Sequence, residues 1–134
     1  MLTPNLPEAE ALTGMRIQTV AEMRAAANVL LALGVPAVLL KGGHLPGDDL
    51  VDLLATADGI DEFSSKRIET RHTHGTGCTM ASAVACGLAQ GMTVREAVVR
   101  ARAYVLAAIA AAPRYGGGHG PLDHGVTVDP GRIA

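Results

Sequence analysis

Two hydrophobic periods alternate along this chain, and that alternation narrows the accessible folds more than any other feature. Val20, Met23, Ala27, Leu30 and Leu31 recur at helical spacing behind Thr19-Val20-Ala21-Glu22, which has the form of a capping box, and Gly34 supplies a stop. Pro36 then leads into Ala37-Val38-Leu39-Leu40, a continuous apolar run whose length and flanks suit a strand buried on both faces. That run ends at Lys41-Gly42-Gly43-His44. Leu50 to Ala55 and Ile60 to Ser64 flank Thr56-Ala57-Asp58-Gly59, and because Asp-Gly is a strong hairpin signal the two runs are expected to pair antiparallel.

Further on, Gly75-Thr76-Gly77 turns into a helix with Ala81, Val84, Ala85 and Leu88 on one stripe and Gly91 beyond its end. Thr93-Val94-Arg95-Glu96 opens the next helix. Its stripe of Val94, Ala97, Val98, Ala101, Val105, Ala108, Ile109 and Ala112 faces a core, Arg95, Arg100 and Arg102 take the other side, and Pro113 stops it. Helices alternating with buried strands predict an α/β layered domain, with a hairpin attached to an otherwise parallel sheet. Ligands of such sheets lie at the carboxyl ends of strands. No period of about 20 to 50 residues recurs, which excludes a solenoid.

Composition removes several function classes. With 134 residues, 49% of them hydrophobic, the chain suffices for one domain with a core and is too short for two. Phe63, Tyr104 and Tyr115 are the only aromatics, so bases of a single strand find no stacking platform. The 11 basic and 13 acidic residues leave a formal charge of -2, without the positive field that phosphate backbones demand. Nucleic acid is therefore not an expected partner. Neither is a membrane: the longest apolar stretch, Tyr104 to Pro113, falls far short of the ~20 residues that span a bilayer. Met1-Leu2-Thr3-Pro4 has no signal-peptide character, so a cytoplasmic location is expected. Cys78 and Cys86 share one helix, where the rise places them ~12 Å apart, too far to bridge.

The sharpest chemical segment is His72-Thr73-His74-Gly75-Thr76-Gly77-Cys78-Thr79. Its glycines let the backbone bend where a helix presents unpaired N–H groups, and such groups bind anions. A phosphoryl group in transfer spreads charge over three oxygens, so N–H donors from Gly75 to Cys78 would serve transfer as well as binding. Cys78 would sit at the positive end of the helix, where a thiolate gains population and can accept a proton from a substrate hydroxyl. The same residues read equally well as a plain strand-to-helix turn with a buried cysteine. Lys41, one of two lysines, stands at the mouth of a buried strand and could reach phosphate oxygens; a lysine snorkelling from a strand end is as good a reading. Asn5-Leu6-Pro7-Glu8 is read first as a helix cap with Glu8 reaching back, and second as a carboxylate that holds magnesium through water. His72 and His74 alternate along an extended segment, but no third ligand follows at zinc spacing, and His44, His119 and His124 lie in glycine-rich loops, so no zinc site is expected.

Taken in order, the blocks Thr3-Pro4-Asn5-Leu6-Pro7-Glu8-Ala9-Glu10, Leu39-Leu40-Lys41-Gly42-Gly43-His44-Leu45, Thr73-His74-Gly75-Thr76-Gly77-Cys78-Thr79 and Gly118-His119-Gly120-Pro121-Leu122-Asp123-His124 form a specific set. Over residues 1 to about 125 the chain resembles the C-terminal half of the hydroxymethylpyrimidine/phosphomethylpyrimidine kinases of thiamine biosynthesis, a branch of the ribokinase-like superfamily. The resemblance implies the C-terminal portion of a ribokinase-like three-layer αβα fold with a mostly parallel sheet, and a tail over 126–134. It implies ATP-dependent phosphorylation of 4-amino-5-hydroxymethyl-2-methylpyrimidine and then of its monophosphate, with Mg2+ and, as an additional candidate, a monovalent cation.

Carried onto this sequence, Gly75, Thr76, Gly77 and Cys78 match the family's anion hole, and Cys78 its catalytic base, where most superfamily relatives place an aspartate. Asn5 and Lys41 match residues near the nucleotide phosphates, and Glu8 the carboxylate near magnesium. The block from Gly118 to His124 matches a family signature without an assigned chemical role. The strands and helices that precede the Thr-Pro-Asn block in the family have no counterpart, which implies an exposed parallel edge and a partner in a second copy or a separately made N-terminal half. A pyridoxal kinase of the same superfamily, some of whose members share the cysteine, and a non-catalytic nucleotide-binding or subunit-pairing fragment are the alternative readings.

Overall fold

In a computed structural model that describes residues 1–128, Pro36 is followed at once by the expected strand β1, Ala37–Lys41. Of the tail expected over 126–134, residues 129–134 lie outside the described residues. The chain divides into two units, Met1–Arg67 and Ile68–Ala134.

In the first unit, α1 (Leu6–Thr13) and α2 (Val20–Leu31) precede β1, and β2 (Asp49–Thr56) and β3 (Gly59–Lys66) follow it. The sequence dictates these limits locally. Thr19 Oγ1 accepts the Glu22 N–H at the start of α2 while Glu22 returns its carboxylate to the Thr19 N–H, as the capping box predicts. Gly34, with φ 87°, ends the turn beyond α2 in a conformation that favours glycine. The hairpin forms at Ala57-Asp58, with Thr56 and Gly59 closing the β2–β3 ladder. Met23, Ala27 and Leu30 of the predicted stripe are buried together with Leu6, Ala9, Val38, Leu40 and Leu53, and this cluster is the unit's core. Burying one leucine contributes roughly 1.5–3 kcal/mol, so the cluster fixes how α1 and α2 lie on the sheet.

The sheet differs from expectation. Its order is β1-β2-β3 and every pairing is antiparallel, with Ala37 opposite Thr56 and Lys41 opposite Asp52. In this unit parallel contacts are the isolated bridges Leu2 to Val38 and Asn5 to Lys41, and a third such bridge, His74 to Pro121, lies in the second unit. The reason is that a continuous apolar run reports burial of both faces and not strand direction: Val38, Leu39 and Leu40 are all fully buried inside an antiparallel pair.

The second unit holds α3 (Thr76–Ala89) and α4 (Val94–Ala110), packed on each other. Thr93-Val94-Arg95-Glu96 opens α4 as expected, Thr93 and Glu96 forming a capping box, and α4 ends shortly before Pro113. Two sequence expectations are corrected here. The buried side of α3 runs through Met80, Val84 and Gly87, while Ala85 is exposed and Ala81 and Leu88 are half-buried. At Gly87 a Cβ would stand 2.8 Å from the Ala97 Cβ, so the helices meet at a glycine that a count of apolar side chains passes over. Arg102, expected on the polar side of α4, is buried, and desolvation lowers its guanidinium pKa from the usual value. Among the described residues no helix is long and apolar enough to cross a membrane.

Candidate functional site

The candidate residues fall into one set in each unit. In Met1–Arg67 the set gathers where the chain enters α1 and leaves β1. The Lys41 N–H donates to the Pro4 carbonyl at 2.9 Å, within the bridge that brings Asn5 beside Lys41. Asn5 Oδ1 accepts the Glu8 N–H at 2.8 Å, and Glu8 Oε2 accepts the Asn5 N–H at 2.7 Å. The capping reading of Asn5 and Glu8 is thus realised, on an exposed carboxylate. Lys41 is half-buried at the end of β1.

Sequence reasoning missed two residues that shape this end of the sheet. Asp52, buried in β2, accepts the Gly42 N–H on Oδ1 at 3.0 Å. An aspartate inside the apolar run from Leu50 to Ala55 was the available signal, since a buried carboxylate needs donors. Gly42 itself admits no side chain: a Cβ would lie 1.9 Å from the Val51 carbonyl oxygen. Arg67 donates from Nη1 to the Gly43 carbonyl at 2.7 Å, from Nη2 to that of Leu45 at 2.7 Å and from Nε to that of Gly47 at 3.0 Å. One planar fork therefore ties down the loop that follows Lys41. Nothing local in the sequence announces it, because donor and acceptors are about twenty residues apart.

In the second unit the glycine turn opens α3 as expected. Gly75 is the N-cap, with φ 87° and no side-chain cap, followed by Thr76, Gly77 and Cys78 as the first helical residues. Thr76 Oγ1 donates to the Thr73 carbonyl at 2.7 Å and Thr79 Oγ1 to the Gly75 carbonyl at 2.8 Å. Cys78 is exposed, so the buried-cysteine reading of this turn does not hold. A thiolate exposed in the first turn of a helix can accept a proton, and unpaired amides of that turn can donate to an anion beside it.

The block from Gly118 to His124 clasps the segment leading into this turn. The His74 N–H donates to the Gly120 carbonyl at 3.3 Å, and the Gly120 N–H donates to His72 Nδ1 at 3.2 Å, which places the proton of that buried imidazole on Nε2. A Cβ at Gly120 would lie 2.3 Å from His72 Nδ1, so only glycine fits. Beside Cys78 runs an open groove of about 710 Å3, whose lining includes Thr79, Cys86, Arg100, Tyr104 and His124. The sequence did not reveal that His124 returns to the start of α3.

Comparison with known proteins adds the following. The profile of the family described as phosphomethylpyrimidine kinase matches residues 1–123. The hydroxymethylpyrimidine/phosphomethylpyrimidine kinase of Streptomyces coelicolor is 54% identical over 125 residues, which are 92% of this chain and 45% of that protein. The thiamine biosynthesis bifunctional protein ThiED of Geobacter sulfurreducens is 52% identical over 124 residues, 92% of this chain and 25% of that protein. Among solved structures, the pyridoxal kinase of Staphylococcus aureus in complex with AMP-PCP and pyridoxal superposes with a TM-score of 0.90 at 32% identity, covering 96% of this chain and 49% of that one. The chain thus spans less than half the length of these relatives.

Proposed function

Because the chain belongs to the phosphomethylpyrimidine kinase family, we propose that it supplies the C-terminal half of an enzyme that transfers phosphate from ATP to 4-amino-5-hydroxymethyl-2-methylpyrimidine and then to its monophosphate. The observation that carries this reading is Cys78, exposed in the first turn of α3 behind an N-cap glycine that offers no side chain of its own. Cys78, as its thiolate, takes the proton of the substrate hydroxyl, and the amides of the turn from Gly75 to Cys78 donate to the transferred phosphoryl oxygens, except that of Thr76, which is held by the Thr73 carbonyl at 3.2 Å. Use of a nucleotide is supported by the AMP-PCP complex of the Staphylococcus aureus pyridoxal kinase. Lys41 and Asn5 serve the nucleotide phosphates.

The chemistry of Glu8 fits magnesium, which keeps most of its waters and needs one or two carboxylates besides phosphate oxygens. Glu8, exposed at the start of α1, would hold the ion through water, and the bound ion would neutralise phosphate charge. A monovalent cation belongs to the same reading without a residue assigned to it.

The complete enzyme would have the three-layer αβα arrangement with a mostly parallel sheet, residues 1–125 forming its C-terminal portion. The bridges of Leu2 and Asn5 to β1 support parallel pairing at that edge. The remainder of the family's fold, of which this chain spans less than half, would complete the sheet there. The free thiols Cys78 and Cys86 suit a reducing, cytoplasmic setting.

The test is a coupled ATP assay on the chain alone and with a separately made N-terminal half. Cys78→Ala should lower kcat by about 10²–10⁴, the range of general acid–base contributions; unchanged turnover removes Cys78 as the base. The TM-score of 0.90 to a pyridoxal kinase favours one second reading, pyridoxal as acceptor. Offering both alcohols in the same assay separates the two. ATP binding without turnover of either, in the presence of the N-terminal half, would favour a non-catalytic binding or pairing role.

A further inference from the structure

The last residue of the block from Gly118 to His124 reaches the turn that carries Cys78. Thr79 Oγ1 lies 2.8 Å from the Gly75 carbonyl oxygen and 2.9 Å from His124 Nε2. A hydroxyl has a single proton to donate, and a carbonyl oxygen has none. Thr79 therefore donates to Gly75, and its contact with His124 requires Nε2–H as the donor. This assignment holds for the neutral ring protonated on Nε2 and for the imidazolium alike. A relay results, from His124 Nε2–H to Thr79 Oγ1 and from Thr79 Oγ1–H to the Gly75 carbonyl.

Both ends of the relay matter. Gly75 is the N-cap of α3, in the left-handed region and without a capping side chain, and its carbonyl accepts the Thr79 N–H at 2.9 Å as well as the Thr79 hydroxyl, which makes it the point where the relay bears on the turn's geometry. His124 is presented by a seated segment: the Tyr104 hydroxyl donates to the His124 carbonyl at 2.8 Å, the Asp123 N–H donates to the Ala108 carbonyl at 3.0 Å, and Leu122 is buried. Thr79, the middle member, is buried.

We propose that His124 is a positioning residue for the Gly75–Cys78 turn, acting through Thr79 on the Gly75 carbonyl and so fixing the N-cap on which the first-turn amides and Cys78 depend. The proposal rests on the reading of Cys78 as the base, but its measurement needs no turnover. It gives the signature block a purpose: the block delivers a donor to the anion-binding turn. Placement of reacting groups to within an ångström decides rates, so a residue that touches no substrate can still matter.

Peptide-resolved iodoacetamide labelling of the purified chain across pH reads the effect. Cys86, exposed on the same helix and lining the same groove, is the internal control. The other titratable or charged groups on this groove are Arg100 and Tyr104, both left in place. His124→Ala should move the labelling midpoint of Cys78 upward by roughly 0.5 pH unit, the size of a helix-terminus effect, and leave that of Cys86 unchanged. His124→Gln, which keeps a side-chain N–H at similar reach, should restore the Cys78 midpoint. An unchanged or lowered Cys78 midpoint in His124→Ala overturns the proposal, as does an equal shift at Cys86. So does a shift in His124→Gln as large as in His124→Ala, because the ring's charge would then be the cause. Turnover of Cys78→Ala tests the base assignment separately, so either reading can fail while the other stands.

Discussion

Asp52 Oδ1 accepts the Gly42 N–H at 3.0 Å across the β1–β2 pair, a buried contact that holds the chain in place immediately after Lys41. Losing the acceptor leaves a buried amide unsatisfied. Asp52→Leu should therefore destabilise the chain by about 1–3 kcal/mol in denaturant titration, and Asp52→Asn, which keeps an oxygen there, by less. Gly42→Ala should cost about 1–3 kcal/mol, since its Cβ would overlap the Val51 carbonyl oxygen. A neutral Gly42→Ala would contradict this packing.

Arg67 should control the order of the loop after Lys41 more than it controls secondary structure. Removing its fork releases the carbonyls of Gly43, Leu45 and Gly47 together. Arg67→Ala and Arg67→Lys should both speed amide exchange across residues 43–48, because an ammonium cannot span acceptors set to a planar guanidinium. Equal protection in Arg67→Lys and the parent would refute the fork.

Glu22 and Glu96 close the capping boxes of α2 and α4, and their pKa values lie below the usual carboxylate value. For Glu22 the chief causes are the Gln18 N–H and then the Thr19 hydroxyl; for Glu96 they are the Thr93 hydroxyl and then its N–H. A lowered folded-state pKa means stability that is fully present above the ordinary carboxylate range and is lost as pH falls through the folded value. Glu22→Gln and Glu96→Gln should thus lower Tm at neutral pH, with the gap to the parent closing in acid. A gap that stays constant down to strongly acidic pH would exclude the carboxylate as the source.

Gly87 sets two effects against each other. Alanine in a helix interior gains up to about 1 kcal/mol of propensity over glycine. Its Cβ, however, would meet the backbone-anchored Ala97 at 2.8 Å, and overpacking costs about 1–3 kcal/mol. The clash should win, so Gly87→Ala should lower Tm. An increase would mean that α3 and α4 yield at this point.

What the sequence disclosed was what chemistry writes locally. Thr19 and Glu22, Thr93 and Glu96, and Asn5 and Glu8 each lie within one helical turn, and all three boxes form as their spacing indicates. Gly75 and Cys78 open their helix for the same reason. Strand direction was not legible, because Val38 to Leu40 are equally buried beside either kind of neighbour. The burial of Arg102 and the contact of α3 with α4 at Gly87 depend on helix packing that a single periodicity does not encode. Arg67, Asp52 and His124 were missed as candidates because their partners are remote in the chain, from Gly42 for Asp52 to Thr79 for His124.

Among the described helices, α1, α2 and α4 fasten their first turns with their own side chains, and α3 begins on a bare glycine. Glycine at the N-cap in place of Ser, Thr, Asn or Asp forgoes only about a few tenths of a kcal/mol. The chain thus places a small concession in stability at one turn, the one carrying Cys78, and leaves the long-range relay from His124 as the tether that local sequence elsewhere provides for itself. Selection on this turn would then be felt some forty-five residues away, at a histidine in a glycine-rich segment.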